Sequence, residues 1–364
     1  MIALDLTVRR ALSEGADVAF NLSGGKDSGA AALAVSHFLD GIGHPRDRRV
    51  AIHADLGRAE WRETMAMAER QAAFIGVPLV VVRRKAGDMV HRWEQRFANG
   101  LARYVDLLTY NLIGPWSSAS LRFCTSELKA QVIGPHLSRE LRGRHIVQVV
   151  GIRREESVNR RHSPISKPDH RYAKPGNRWG TQMTMFHPLV DWTTQEVFSF
   201  HTRHGLPLHP AYSWGCSRVS CAFCIMQSIA DAKAAATVAG NVPLYLHLVE
   251  MEAISTFSFW PDRWLADVAP LLLSPALAAL VVQGKTKAAE RQAIEAAMPA
   301  GLRYVKGWPV RVPTNDEAEA IVTARRTILS HHGQPEHYPT ATSVIARFAL
   351  LMAEHKARSA RRGS

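Results

Sequence analysis

Residues 23–28 read Ser-Gly-Gly-Lys-Asp-Ser, between an apolar run at 17–22 (DVAFNL) and a stretch of helical patterning at 26–39. A buried strand that enters a double-glycine turn and leaves as a helix fixes much of what the chain can be. Two glycines turn tightly and let an anion approach the backbone. The free N–H groups of the first helical turn then face that anion, and the helix dipole adds to the attraction. Ser23, Gly24, Gly25, Lys26, Asp27 and Ser28 therefore form a candidate phosphate loop: two hydroxyl donors, a point charge at Lys26, and a carboxylate at Asp27 able to hold a metal ion. The alternative is a plain turn between strand and helix. The string is not a Walker loop, and Gly284-Lys285-Thr286, with Ala279 where such a loop needs glycine, reads as a helix connection.

Further apolar runs at 50–54, 78–83, 145–151 and 186–190 alternate with helical stretches at 60–75 and 193–204. This predicts an α/β fold: a parallel sheet with helices on both faces and ligands at the carboxyl ends of its strands. Thr193 and Glu196 have capping-box spacing, and Gly205 is a helix stop. Residues 157–184, rich in Arg, His, Pro and Lys, read as a mobile basic loop. From about residue 225 the pattern is mostly helical, with breaks at 259–261, 299–301 and 309–313 and a basic tail at 356–364 expected to fray. The expected division is a nucleotide domain at 1–226 and a helical region at 227–364.

The 364 residues carry 45 Lys and Arg against 32 Asp and Glu, a net charge of +13, which suits an anionic partner. General solubility and ATP binding would also account for it. The longest greasy stretch, 268–282, holds two prolines and is too short to span a membrane; it reads as a core helix or helix pair. The N-terminus has no apolar segment behind a basic start, so a cytoplasmic protein without a membrane partner is expected.

The chain has four cysteines: Cys124, then Cys216, Cys221 and Cys224 in a C-x4-C-x2-C spacing. Four soft ligands suit tetrahedral Zn²⁺ or a [4Fe–4S] cluster, and spacing alone does not separate the two. Two other segments sit where ligands gather. Asp55 ends the second strand, where it can touch ribose, adenine or a metal, or cap the next helix. Gly151-Ile152-Arg153-Arg154-Glu155-Glu156-Ser157, followed by Arg160, ends the fourth; there Arg153 can pair with a phosphate and Glu156 can orient it.

Together, SGGKDS at 23–28, Arg122-Phe123-Cys124-Thr125 with Leu128-Lys129, the 151–157 string, His187-Pro188-Leu189 with Asp191-Trp192-Thr193, and the cysteine-bearing stretch from Tyr212 to Cys224 resemble the PP-loop ATP pyrophosphatases and PAPS-reductase-like proteins, the adenine-nucleotide alpha-hydrolase fold. The likeness spans roughly residues 15–226. It implies that the loop grips the pyrophosphate of ATP, that Asp27 helps place Mg²⁺, that Lys26, Asp27 and Arg153 serve the chemistry, and that Ser23 to Ser28, Asp55, Gly151, Arg153 and Glu156 line the nucleotide site. It also implies that Cys124, Cys216, Cys221 and Cys224 ligate a [4Fe–4S] cluster, with Zn²⁺ as the alternative.

Sulfonucleotide reductases of this group need a nucleophilic cysteine near the C-terminus, and residues 225–364 contain none. The combination most resembles the ATP pyrophosphatase subunit of DNA phosphorothioation systems of the Dnd or Ssp type. That implies adenylation of a nucleic-acid acceptor, DNA before tRNA, sulfur from a cysteine desulfurase or other donor, and further subunits of a modification complex. The alternatives are a sulfonucleotide reductase-like enzyme, a tRNA thiolase and a nucleotide-binding scaffold.

Overall fold

The computed structural model describes residues 1–302, 305 and 308–363. One unit comprises Met1–Val90 and Ser117–Val242, the other His91–Trp116 and Pro243–Ser364. The packing thus departs from the expected boundary after residue 226. Residues 91–116 leave the first unit for the second, and the helix that follows the cysteines stays with the first.

The first unit is built on a six-stranded sheet of order β3-β2-β1-β4-β6-β5. Its strands are β1 (Asp17–Asn21), β2 (Arg49–Asp55), β3 (Leu79–Arg83), β4 (His145–Val149), β5 (Ser166–Pro168) and β6 (Gln182–Phe186). All neighbours pair in parallel except β5, which runs antiparallel on the edge. Alternate residues serve the two faces. Val18, Phe20, Ala51, Val147 and Val149 pack with α1 (Leu6–Ser13), α2 (Lys26–Gly41), α3 (Glu63–Ile75) and α7 (Thr194–His204). Ala19, Ile52, Ala54 and Ile146 pack with Ile133 and Leu137 of α6 (Gln131–Glu140). The expected α/β sheet with helices on both faces is what forms.

The chain builds β1, β2 and β3 outward on one side and returns to place β4 and β6 on the other. The switch point therefore lies between the carboxyl ends of β1 and β4, the place where open parallel sheets open a ligand crevice. The 23–28 loop follows β1 and Gly151 follows β4.

Three local expectations change. The strand expected at 186–190 lies at Gln182–Phe186 instead. Pro188 has no N–H to give to a ladder, and Met183 and Phe186 supply the buried positions. The segment 157–184, expected to be one mobile loop, carries β5 and the start of β6. The expected core helix at 268–282 is a 3₁₀ turn, Pro270–Leu272, followed by the start of α10 (Pro275–Ala297), and Leu271 and Val282 are exposed. The capping box of Thr193 and Glu196 and the left-handed Gly205 stop of α7 form as expected.

The second unit is helical, with α9 (Val242–Ser255), α10, α11 (Asn315–His331) and α12 (Ala341–Gly363) joined by most of α4 (Met89–Val105). The tail expected to fray continues α12 to Gly363; Ser364 lies outside the described residues. Gly284 sits within α10, not in a connection, and a Cβ there would come 2.7 Å from the Ala253 carbonyl of α9. Buried charges hold this unit's loops: the Glu252 carboxylate accepts from the amides of Phe259, Leu265 and Ala266, while burial pushes its pKa up to about 7. Among the described residues no helix is long and apolar enough to cross a membrane.

Candidate functional site: the glycine loop and its clamp

Gly24 adopts φ +72°, a left-handed turn in which its missing Cβ matters. The turn is closed by side chains. Ser28 Oγ accepts the Ser23 N–H at 3.1 Å, lies 3.0 Å from Ser23 Oγ, and donates to the Gly25 carbonyl at 3.0 Å. Gly25 is the N-cap of α2 and supplies no side-chain cap to the amides of the first turn.

Three expected residues meet here. Asp27 Oδ2 accepts from Lys26 Nζ at 2.8 Å, and Asp27 Oδ1 accepts from Arg153 Nε at 2.6 Å. Arg153 is almost wholly buried, and its remaining donors go to Glu155, the Trp192 carbonyl and Thr194 Oγ1. Burial pulls the Arg153 pKa down, but Asp27, Glu155 and Glu156 outweigh it, and the group is held charged. Glu156 Oε2 takes the Arg153 N–H at 2.9 Å and the Arg160 guanidinium. The guanidinium expected to grip phosphate is therefore committed to Asp27, and Glu156 orients the backbone of Arg153 and not its side chain. Gly151 makes the meeting possible: a Cβ there would lie 2.6 Å from the backbone of Asp27.

Asp27 was also expected to place Mg²⁺. Each of its oxygens already faces a cation, so the donor does not fit a metal ion as arranged. Asp55 stands at the end of β2, where Oδ1 accepts the Gly57 N–H at 2.7 Å and Oδ2 pairs with Arg83 at 2.9 Å. It caps the turn after its strand.

The cysteines are all free thiols. Cys221 is pushed well up by burial and by Cys224, with Cys124 and Glu60 adding and Lys129 opposing. Those three thiols thus share one neighbourhood. Cys216 Sγ lies 3.8 Å from the Asp231 carbonyl, and burial, then Asp231, pushes its pKa up to about 11. Asp231 in turn fixes Ser217 through its N–H and hydroxyl. Among the described residues no three His, Cys, Asp or Glu side chains are grouped to hold a metal ion. The expected set of four ligands does not close around one centre, so it does not fit a tetrathiolate site as arranged.

Other residues reach the loop from elsewhere in the chain. His201 Nε2 bonds the Lys26 carbonyl at 2.7 Å, and the Phe198 ring, one helical turn earlier, lies 5.7 Å from Lys26 Nζ. Their i, i+3 spacing on α7 was readable, but not the helix they face. Tyr212 Oη accepts the Lys26 N–H at 3.0 Å. His53, buried on β2, bonds the Leu22 carbonyl through Nδ1 at 2.9 Å and turns Nε2 to Glu60 at 3.4 Å. Burial lowers its pKa, and Glu60 more than offsets this.

Sheet order and loop define a class: doubly wound α/β domains with a glycine loop at the carboxyl edge of the central strand. The phosphoadenosine phosphosulfate reductase domain model matches residues 17–227, more than half of the chain, and the chain belongs to that family. An uncharacterized 37.8 kDa protein of Escherichia phage 186 is 31% identical over 127 residues, 34% of this chain and 34% of that protein. Adenosine 5'-phosphosulfate reductase of Bacillus cytotoxicus is 31% identical over 78 residues, 21% of this chain and 30% of the enzyme. The chain thus aligns with about a third of the length of these curated relatives. A crystal structure of phosphoadenylyl-sulfate reductase from Candida auris, a phosphate complex, aligns with a TM-score of 0.37 and 14% identity, over 59% of this chain and 85% of that one.

Proposed function

We propose that this protein is an ATP pyrophosphatase that adenylates a nucleic-acid acceptor for sulfur insertion, with the DNA backbone as the acceptor. The observation that carries the reading is the 23–28 loop at the switch point of the sheet, with its helix tied through Asp27 to Arg153 of the neighbouring strand end. An acceptor oxygen attacks the α-phosphorus of ATP, the bond to pyrophosphate breaks, and a sulfur nucleophile later displaces AMP. Charge gathers on the departing pyrophosphate. The Ser23 and Ser28 hydroxyls are spent on the loop itself and hold the N-terminus of α2 in place, with its dipole toward the departing charge, which is the preorganisation such a step needs. Lys26 lends positive charge from within, fixed by Asp27.

The net charge of +13 favours a polyanionic acceptor. Within 153–167, Arg153, Arg154 and Arg160 are engaged by Asp27, Asp191 and Glu156, so Arg161, His162 and Lys167, all exposed, are the residues offered to a backbone. The family match also favours a second reading, action on a sulfonucleotide.

Mass spectrometry of nuclease-digested DNA and tRNA, from cells with and without the gene, tests the proposal. The expected result is loss of phosphorothioate dinucleotides on deletion. Loss of a thiolated tRNA base would transfer the reading to tRNA. Unchanged nucleic acids, with reduction of adenylyl sulfate by the purified protein, would replace it with the reductase reading.

A further inference from the structure

Tyr212 opens the stretch to Cys224 that resembles the family's cysteine-bearing end, yet its side chain reaches the 23–28 loop. Its Oη accepts the Lys26 N–H at 3.0 Å, an amide of the α2 first turn. A phenol oxygen that receives amides still has its own proton to give, and among the described residues no hydrogen bond takes it. The hydroxyl stands at the mouth of the loop: a Cβ built on Gly25 would meet Ser23 Oγ at 3.5 Å, Tyr212 Oη at 3.8 Å and the Val219 carbonyl at 3.8 Å. Gly25 therefore leaves open a cradle edged by two hydroxyls.

The ring is held. It stacks edge-on against Phe198 with centroids 5.4 Å apart, and both rings flank Lys26 Nζ, at 5.8 and 5.7 Å. The short turn Pro210–Tyr212 is fixed by His209, whose side chain accepts the Ala211 N–H at 3.1 Å. A hydroxyl fixed this way has lost its orientational freedom before a ligand arrives, the condition under which one hydrogen bond contributes most to affinity.

We propose that the Tyr212 hydroxyl is a direct ligand of the anion on the 23–28 loop, passing the Lys26 amide bond outward by donating its own proton to a phosphoryl oxygen. This rests on reading the loop as a pyrophosphate site. It adds a binding residue from the segment that leads into Cys216, Cys221 and Cys224, so phosphate occupancy bears directly on the base of the cysteine loop.

The opposite role is that the hydroxyl occupies the anion's seat and must be expelled, and the two roles predict opposite signs. Calorimetric titration with inorganic pyrophosphate, on the full-length wild type, Tyr212→Phe and Ser23→Ala, separates them. Tyr212→Phe keeps the ring against Lys26 and Phe198 but takes the acceptor from the Lys26 amide, so the protein should stay folded with its melting midpoint lowered by a few degrees. Its pyrophosphate affinity is expected to fall about ten-fold or more, the size of one charge-assisted hydrogen bond. Equal or tighter binding by Tyr212→Phe, with Ser23→Ala weakened, overturns the proposal and leaves the loop reading standing. Wild-type protein that binds no pyrophosphate overturns both.

Discussion

Substituting valine for Gly151 is expected to cost the protein both stability and pyrophosphate release. A Cβ at this position lies 2.6 Å from the Asp27 carbonyl carbon and oxygen and 2.8 Å from the Ser28 nitrogen. These atoms are backbone of the first turn of α2 and cannot rotate aside. The end of β4 and the start of α2 would have to separate, which also stretches the 2.6 Å bond from Arg153 to Asp27. Overpacking of this kind costs about 1–3 kcal/mol for small additions; alanine should show that loss in urea unfolding and valine a larger one. Pyrophosphate release should fall at least about a hundred-fold in the valine protein, since small misplacements of a preorganised site cost about that much. Gly41, at the far end of the same helix with nothing within 4 Å of a built Cβ, is the control, and Gly41→Ala should change neither measurement. A Gly151→Ala protein with wild-type stability and turnover would contradict the close approach.

The second large effect is expected from Arg153→Ala. Its side chain is 3% exposed and bonds Asp27, Glu155, Thr194 and the Trp192 carbonyl. Removing one partner of a buried pair costs about 3–5 kcal/mol; because Asp27 keeps Lys26 and some exposure, about 3 kcal/mol is the expected loss in chemical unfolding. Pyrophosphate release should disappear with it, because Asp27 is then free to swing the first turn of α2. Arg153→Lys supplies the charge without the fork and should fall between the two. The combination is diagnostic. A guanidinium that touched phosphate alone would lose ligand affinity on removal and leave the unfolding curve where it was, and that outcome would contradict the clamp.

What the sequence revealed follows from the range of the forces involved. The 23–28 loop was legible because strand, glycines and helix are contiguous, and each residue's contribution is local. The clamp was not, because Arg153 and Asp27 are 126 residues apart and meet only when β4 takes its place beside β1. The Arg153 motif therefore read as a phosphate ligand, when its donors serve the protein itself. The cysteine spacing announced a cluster of thiols but could not show that Cys216 packs against Asp231, fifteen residues later. Residues 91–105 gave no reading of their own in the sequence; which core takes them is decided by buried partners such as Tyr104 and Arg325, whose guanidinium bonds the Tyr104 and Val105 carbonyls. The greasy run at 268–282 misled because hydrophobicity without a helical period does not specify a buried face, and Leu271 and Val282 point outward.

The central claim is that the short turn after β1 seats the leaving diphosphate. The most direct measurement is a crystal structure of the protein with a non-hydrolysable ATP analogue. The β- and γ-phosphates are expected on the Gly25 and Ser28 amides and the Tyr212 hydroxyl, with the Lys26 N–H still donating to Tyr212 Oη and Asp27 still joined to Arg153. An analogue bound elsewhere in the molecule, with those amides facing solvent, would contradict it.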